Sequence, residues 1–394
     1  MARLRPLTGP RVSIIGAAMP TRATKRGLER TPLDRDCDVL ICGASFAGLA
    51  VARELAGTGA DVMVIDRYEI GERQTSACGI PTPWLTALHL EEALQQTFPE
   101  LVIHTPHTTV RYDLPWSFST FDYRALCGLL AAQGSFSFET AKVERREGPD
   151  AVVTDRGTIR AGLIVDALGW RRVLGAGANV QPPDALLSRG LEVHPFGGGG
   201  ELEVWIDRRY VPAGYGWSFP AGEEVRIGVG SFDPRFHVRE PTVRLAEDLH
   251  ADTVRYQGNW IPHALRPATD GGVFCVGDSA GHCLPLTAEG IRTALYFGLA
   301  CGRELQRVVR GEQTREQALA RYHRFSASHA TPFRWMLHVQ RLVPRVAPRL
   351  LAPGLRAMQA KRFVDWSFGH YLDIAHPSFA ATGGLPARAA PVAA

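Results

Sequence analysis

Apolar positions along this chain fall into two rhythms, unbroken runs and strict alternation, and each predicts a different kind of strand. Residues 38–42, DVLIC, form an unbroken run of the sort a strand buried on both faces requires. The run passes through the glycine-bounded turn GASFAG at 43–48 into LAVAREL at 49–55, which reads as a helix. A second run, DVMVI at 61–65, ends on Asp66, and similar runs recur at 163–165 and 271–276. Alternation takes over at 215–230, YGWSFPAGEEVRIGVG. Tyr215, Trp217 and Phe219 stand at i, i+2 and i+4, so one strand face carries all three rings. Pro220 ends the run, and AGEE at 221–224 predicts a two-residue hairpin loop of type II′ with Gly222 first. That register sets Trp217 opposite Gly228 and Tyr215 opposite Gly230. A slot with an aromatic floor and an ordinary buried hairpin both satisfy the pattern.

Strand, glycine turn, helix, second strand and terminal acid, in that order, make the βαβ fingerprint of a dinucleotide site. The backbone of Gly43, Ser45, Phe46, Ala47 and Gly48, at a helix start, suits a pyrophosphate. The Asp66 carboxylate, with Arg67 beside it, suits the adenosine ribose. Ser45 departs from the fingerprint, standing where the second glycine is usual; its hydroxyl can donate to phosphate. A second site follows far along the chain, where GDSAG at 277–281 closes the 271–276 strand and CLPLTAEGI at 283–291 leads into a helix. Gly277 and Asp278 sit at that strand's end, where the carboxylate can accept a ribityl hydroxyl. Pro285, Glu289, Gly290 and Ile291 frame a helix start whose positive end suits flavin N1 and O2, where negative charge gathers on reduction. A nicotinamide dehydrogenase has no need of this second site, so the expected cofactor is FAD.

Three motifs together, GASFAG, GDSAG followed by PLTAEGI, and Y-x-W-x-F-P followed after seven residues by G-x-G, resemble the geranylgeranyl reductase family of para-hydroxybenzoate hydroxylase-like flavoproteins. The resemblance runs over residues 36 to 305, and the aromatic motif is its most specific part. Gly281 follows the GDSA tetrapeptide as in the family's reductase form, with His282 one place later. Ala288 stands where the family usually has glycine, and Asp66 where it often has glutamate. SACGIP at 76–81 resembles a C-G pattern that borders the flavin ring. Cys78 is then either an active-site thiol, positioning substrate or relaying a proton, or a buried inert cysteine. FDYRAL at 121–126 resembles a family helix start, with Arg124 either a phosphate contact or a solvated arginine. Asp166, in LIVDALG at 163–169, reads as a structural residue closing a turn near the FAD.

The resemblance implies reduction of carbon–carbon double bonds in a prenyl chain, with hydride from flavin N5 and a proton to the other carbon. An unactivated alkene offers almost nothing to a hydrogen bond, so shape and apolar burial must position it. Tyr215, Trp217 and Phe219 are the expected catalytic and substrate-shaping side chains, together with Cys78, while Gly228 and Gly230 would let the chain approach. Water, Cys78 and Tyr215 all stay open as the proton donor. NAD(P)H and ferredoxin stay open as electron donor, since no second nucleotide fingerprint is present. The alternative enzyme is an FAD-dependent monooxygenase of a natural-product pathway. A halogenase of this superfamily needs a lysine between flavin and substrate, and Lys25, Lys142 and Lys361 all lie outside the expected place. A non-redox flavoprotein cyclase would need an acid over the substrate, which the hairpin's slot face does not supply.

These signals predict an α/β fold with a Rossmann-like FAD-binding lobe, a substrate lobe built on an antiparallel sheet, and C-terminal helices. The expected segments are a disordered basic extension at 1–35 and an FAD lobe at 36–180, with 81–104 lent to the substrate lobe. A substrate lobe at 181–264, the rest of the FAD lobe at 265–305 and a helical region at 306–385 follow. At 394 residues and 45% apolar content the chain can bury two joined lobes. Seven cysteines without a C-x-x-C pair argue against a disulfide framework or a metal site. The net charge of +4 is uneven: residues 1–35 hold eight Lys/Arg against two acids, which leaves the rest slightly acidic. Nucleic acid is therefore not an expected partner. The basic extension lacks an apolar signal core, and a disordered tail or translation begun upstream of the natural start fits it better than a transit peptide.

No apolar stretch is long enough to cross a bilayer. Residues 334–362 nevertheless carry seven Lys/Arg and no acid, interleaved with Trp335, Leu337, Leu342, Leu350 and Leu351. Pro344, Pro348 and Pro353 cut the segment into pieces, which predicts short helices capping the substrate lobe. Contact with an anionic lipid surface is the competing reading. The expected location is the cytoplasm, at the membrane surface if that contact is made, and the expected partner is a small hydrophobic substrate.

Overall fold

The computed structural model describes residues 31–74, 76–175 and 186–381. It begins with β1 (Arg35–Cys42), α1 (Phe46–Glu54) and β2 (Val62–Asp66), the βαβ unit legible in the sequence. After β3 (Gly79–Pro81) and α2 (Thr82–Ala87) come two long strands, β4 (Leu94–Thr105) and β5 (Thr108–Phe121). Then α3 (Tyr123–Ala132) leads to β6 (Ser137–Thr140), β7 (Val143–Glu147), β8 (Ala151–Thr154) and β9 (Gly157–Asp166). The next stretch holds β10 (Leu187–Val193), β11 (Leu202–Trp205), the hairpin β12 (Gly214–Ala221) and β13 (Glu224–Ser231), α4 (Arg239–Asp248) and β14 (Gln257–Pro262). The chain returns through β15 (Thr269–Asp270) and β16 (Val273–Cys275) to α5 (Ile291–Val309). It closes with α6 (Arg315–Ser328), α7 (Ala330–Leu342), α8 (Pro348–Ala357) and α9 (Lys361–Asp373).

Two sheets divide these strands. In the first, the order is β15-β16-β9-β1-β2-β6, with the antiparallel β7–β8 pair attached to β9. β1 pairs in parallel with β2 and β9, and Val39, Leu40, Ile41 and Cys42 are wholly buried. A central parallel strand has no solvent face, which is why its sequence is apolar without alternation. The second sheet runs β14-β10-β13-β12-β11-β4-β5-β3 and is antiparallel except where β11 meets β4. One face packs Val193, Trp205, Ile227 and Val229 against Leu245 of α4. On β5, Val110 and Tyr112 pack against Leu355 of α8 and Val364 of α9. The interrupted basic segment is therefore a set of short helices resting on the second sheet, as the prolines predicted.

Two boundaries differ from the sequence reading. β3 and β5 lie in the second sheet, although 105–122 reads as part of the FAD lobe; the β4–β5 pairing extends from Leu94↔Phe121 to Thr105↔Thr108 and carries β5 with it. At the other end, structure starts before residue 36. The Leu33 amide donates to the Arg156 carbonyl at 2.7 Å, Asp34 accepts the Thr158 amide at 2.8 Å, and Arg35 already pairs with Ile159. The last residues of the expected basic tail are thus tied to β9, and residues 1–30 lie outside the described residues.

Candidate active site

The glycine turn after β1 is shaped for close approach. A Cβ on Gly43, which sits at φ +114°, would lie 2.3 Å from the Ala167 carbonyl oxygen, and one on Gly48 would lie 1.9 Å from the Gly43 carbonyl oxygen. Only glycine fits either place. Ser45 is the N-cap of α1 in extended conformation, and its Oγ accepts the Tyr123 hydroxyl at 3.1 Å. Asp66 accepts the amides of Ala44 at 2.9 Å and Tyr68 at 3.0 Å, one on each oxygen. Burial holds this carboxyl above its ordinary pKa. Phe46 contributes backbone only, since its ring packs edge-on to Phe121 and Tyr123. Arg67 lies over the Tyr68 ring, and Arg124 is exposed on the first turn of α3.

The second glycine-rich site meets the first through helix packing. Gly298 of α5 sits against Ala47 and Ala50, and Gly302 against Val51 and Glu54. Gln306 then donates to the Glu54 carbonyl at 2.7 Å. Contacts that advance together along both chains mean that α1 and α5 run parallel, so their positive N-terminal ends open at one edge of the first sheet. Gly277, at φ +61°, touches Ala47 and Ala294 beneath that edge. Asp166 closes the adjoining turn, accepting Leu168 N at 3.0 Å, Leu174 N at 2.8 Å and Ser279 Oγ at 2.6 Å. Two close-approach turns, two helix N-termini and an acid at a strand end form a cradle that fits a flavin dinucleotide lying across both.

Asp278, half-buried near Gly290, makes no hydrogen bond through its carboxylate among the described residues, and burial raises it from 3.8 to about 6. A folded pKa above the unfolded one means the folded chain holds the extra proton, so stability falls as pH climbs from about 4 to about 6. Asp278→Asn is expected to stabilise the cofactor-free protein by on the order of 2 kcal/mol at neutral pH. Thermal melts of the variant and parent should converge near the bottom of that window.

Between Asp278 and α5 the loop at 283–290 is strained and held from several sides. Leu286 and Ala288 occupy left-handed conformations at φ +68° and +52°. Ala288 stands at the place where the resembled family has glycine, and its backbone explains that preference. Ala288→Gly should therefore add about 1 kcal/mol of stability, read by urea unfolding. Gln340 of α7 accepts the Leu286 amide at 2.7 Å, and the Tyr215 hydroxyl donates to the Thr287 carbonyl at 2.5 Å. Tyr371 of α9 donates to the Glu289 carboxylate, while Arg292, wholly buried, forks onto both Glu289 oxygens at 2.7 and 2.9 Å. The side chain of Glu289, a residue expected at the cofactor, is thus held by Arg292 and Tyr371 and braces the loop. His282 also turns away: its ring stacks on Phe297 and its Nε2 meets Ser326 Oγ at 3.0 Å.

The aromatic hairpin has the register its sequence predicts, Tyr215↔Gly230 and Trp217↔Gly228, with Gly222 at positive φ in the two-residue loop. One expectation is corrected. The glycines do not open the sheet to a substrate, because the indole of Trp217 lies on them. A Cβ on Gly228 would stand 2.3 Å from its Cζ2, and one on Gly230 would stand 3.3 Å from its Cζ3. The ring therefore rests with one face on the glycine row and the other turned away from the sheet. Tyr215 meets it edge-on, and Phe219 lies two places on, opposite Arg226.

Two side chains that sequence reasoning missed complete this wall. Glu192 of β10 is buried in the cross-strand row Gln257–Glu192–Gly228–Trp217. It accepts the Trp217 indole N–H at 3.1 Å, the Gln257 amide at 3.1 Å and shares a contact with His194 Nε2 at 2.9 Å. Arg226, also buried, donates to the Ala77 and Phe121 carbonyls at 2.9 and 3.1 Å. It thereby fixes the loop that presents Cys78, which sits at φ +54° with its Sγ 3.1 Å from the Ser76 carbonyl. Burial pushes the Cys78 thiol and the Tyr215 phenol well up, so both stay neutral. Lys142 and Lys361 are exposed, and no group of residues suited to a metal occurs among the described residues.

Comparison with known proteins agrees with this geometry. Residues 36–88 match the family model described as FAD binding domain, and the cofactor is FAD. The chain is similar to digeranylgeranylglycerophospholipid reductase 3 of Methanosphaera stadtmanae, 24% identical over 332 residues that span 75% of this chain and 83% of the relative. Among solved structures it resembles a geranylgeranyl bacteriochlorophyll reductase-like protein from Thermoplasma acidophilum, at 16% identity, a TM-score of 0.76 and coverage of 89% of this chain and 98% of that one. A probable FAD-dependent monooxygenase from Pseudomonas aeruginosa shares the fold less closely, at 20% identity and a TM-score of 0.57 over 78% of this chain and 98% of its own. At such identities these structures establish the fold alone.

Proposed function

We propose that this chain uses FAD to reduce carbon–carbon double bonds in a prenyl or other isoprenoid chain. The observation that carries the reading is the Trp217 indole, half-buried and seated on Gly228 and Gly230, on a strand that Tyr215 ties to the second glycine-rich site. Relatives named as geranylgeranyl-type reductases support it. Bound FAD supplies hydride once it has been reduced. The chain's own part is positional. Trp217, Tyr215 and Phe219 give an extended apolar chain a broad surface, where burial and fit do the work that hydrogen bonds cannot. Arg226 and Gln257 hold the Ser76–Cys78 loop against this surface. Neutral Cys78 and Tyr215 leave the neighbourhood of the double bond without a competing thiolate or phenolate.

Turnover assays on the reduced holoprotein with polyprenyl lipids, run with and without oxygen, test the reading. Product that gains two hydrogens per bond in the absence of oxygen supports it; product that carries oxygen and forms only in air replaces it with the monooxygenase.

Substrate supply at a lipid surface fits the C-terminal helices. Trp335, Leu342, Leu350, Met358 and Trp366 are exposed on or beside α7, α8 and α9, among the seven Lys/Arg of 334–362. No helix among the described residues is long and apolar enough to cross a membrane. Peripheral contact predicts sedimentation with anionic vesicles, release by salt and no retention on zwitterionic ones. Equal indifference to both vesicle types would exclude it.

A further inference from the structure

The indole N–H that anchors Trp217 ends on a carboxylate, and that choice of partner has chemical consequences. Glu192 is buried, and among the described residues its partners are an indole, an amide and an imidazole. None of them is a fixed cation. The two arginines of this corner are taken up by Glu224 instead, Arg226 at 3.1 Å and Arg255 at 3.3 Å. His194 sits between the two acids, 2.9 Å from Glu192 and 3.7 Å from Glu224. The Glu192 charge is thus directed at the edge of the Trp217 ring. A carboxylate that accepts an indole N–H polarises the ring and makes its π-face more negative. One face is closed by Gly228 and Gly230, so the enhanced potential is offered on the other, where the substrate would lie. Aromatic faces of this kind attract cations rather than neutral alkenes.

Isoprenoid double bonds are electron-rich, and a proton adds to them more readily than a hydride does. We propose that Glu192, as a positioning residue acting through Trp217, makes the slot cation-stabilising, so that the proton reaches the double bond ahead of the hydride. This inference rests on the reductase reading and deepens it. The π pair of the alkene forms a bond to a proton drawn from solvent, leaving positive charge on the more substituted carbon over the indole. Hydride then adds to that carbon with its own electron pair, completing the second C–H bond. The alkene gains two hydrogens and two electrons; FAD bound in its reduced form would supply the hydride and so account for the two electrons.

The test needs no turnover. Binding to the FAD-loaded protein is measured for a prenyl trimethylammonium ion and for its neutral tert-butyl isostere, which has the same shape without the charge. The parent should favour the ammonium by about 10-fold to 30-fold. Glu192→Gln keeps an acceptor of the same size for the indole N–H and removes the charge. It should keep the affinity for the neutral isostere within about twofold and bring the preference down to a few-fold. In turnover the same variant should lose kcat with little change in KM. Trp217→Phe, which keeps a ring but loses the N–H link to Glu192, should lose the preference as well. Equal binding of the two ligands by the parent, or an undiminished preference in Glu192→Gln, overturns the inference and leaves the reductase reading standing. Failure of both ligands to bind overturns the two together.

Discussion

Gly228→Ala is expected to cut turnover by about 100-fold while leaving FAD bound. The added methyl would stand 2.3 Å from Cζ2 and 2.5 Å from Cε2 of Trp217, and 2.7 Å from the Leu191 carbonyl oxygen. Neither neighbour is the free end of a flexible chain, so the indole must lift off the sheet. That movement breaks its bond to Glu192 and pushes the ring into the space where the proposed substrate would lie. Overpacking of this size costs about 1–3 kcal/mol of stability. A double variant separates the two effects. Gly228→Ala with Trp217→Phe relieves the collision, so its urea midpoint should recover toward that of Trp217→Phe alone, while turnover stays low because the indole is gone. A Gly228→Ala enzyme with full activity would mean that the ring's seat on the glycine row is irrelevant to catalysis.

Gly48→Ala should yield protein without flavin. A Cβ there falls 1.9 Å from the Gly43 carbonyl oxygen, inside the turn whose amides would meet the pyrophosphate, and only movement of the backbone can make room. The purified variant is expected to be colourless or to lose its flavin on gel filtration. Gly128→Ala is the matched control. Gly128 lies within α3, and an added Cβ meets nothing within 4 Å. That substitution should retain FAD and gain up to about 1 kcal/mol of stability from helix propensity. Retention of flavin by both variants would detach the turn from the cofactor.

The features that were legible in the sequence are those whose chemistry is local in the chain. The GASFAG turn announces itself because Gly43 and Gly48 must pack against each other within one turn of backbone, and the hairpin register follows from Pro220 and Gly222 within a few residues. Asp166 was readable as a turn residue for the same reason, and it holds two nearby amides. Glu192 was not readable. It meets Trp217 only because β10, β13 and β12 lie side by side, and Gly228 between them has no side chain to keep the two apart. The one local hint is the alternation in LEVH at 191–194, which puts an acid and an imidazole on the same strand face. Arg226 looks like a solvated strand arginine until the Ala77 and Phe121 carbonyls close on it. The fastening of the 283–290 loop by Gln340 and Tyr371 depends on helices packed from the far end of the chain, and no spacing rule reaches that far. The placing of β5 failed for a related reason: its partner β4 captures it by a hairpin longer than any local signal describes.

A single anaerobic mixing experiment goes to the centre of the account. Holoprotein is reduced chemically until its yellow colour is gone, and a polyprenyl lipid is added with oxygen excluded. The oxidised flavin spectrum should return at the rate at which saturated product forms, one cofactor for each double bond. If the protein stays bleached with every isoprenoid offered and regains its colour only when air is admitted, the slot is not a site of alkene reduction.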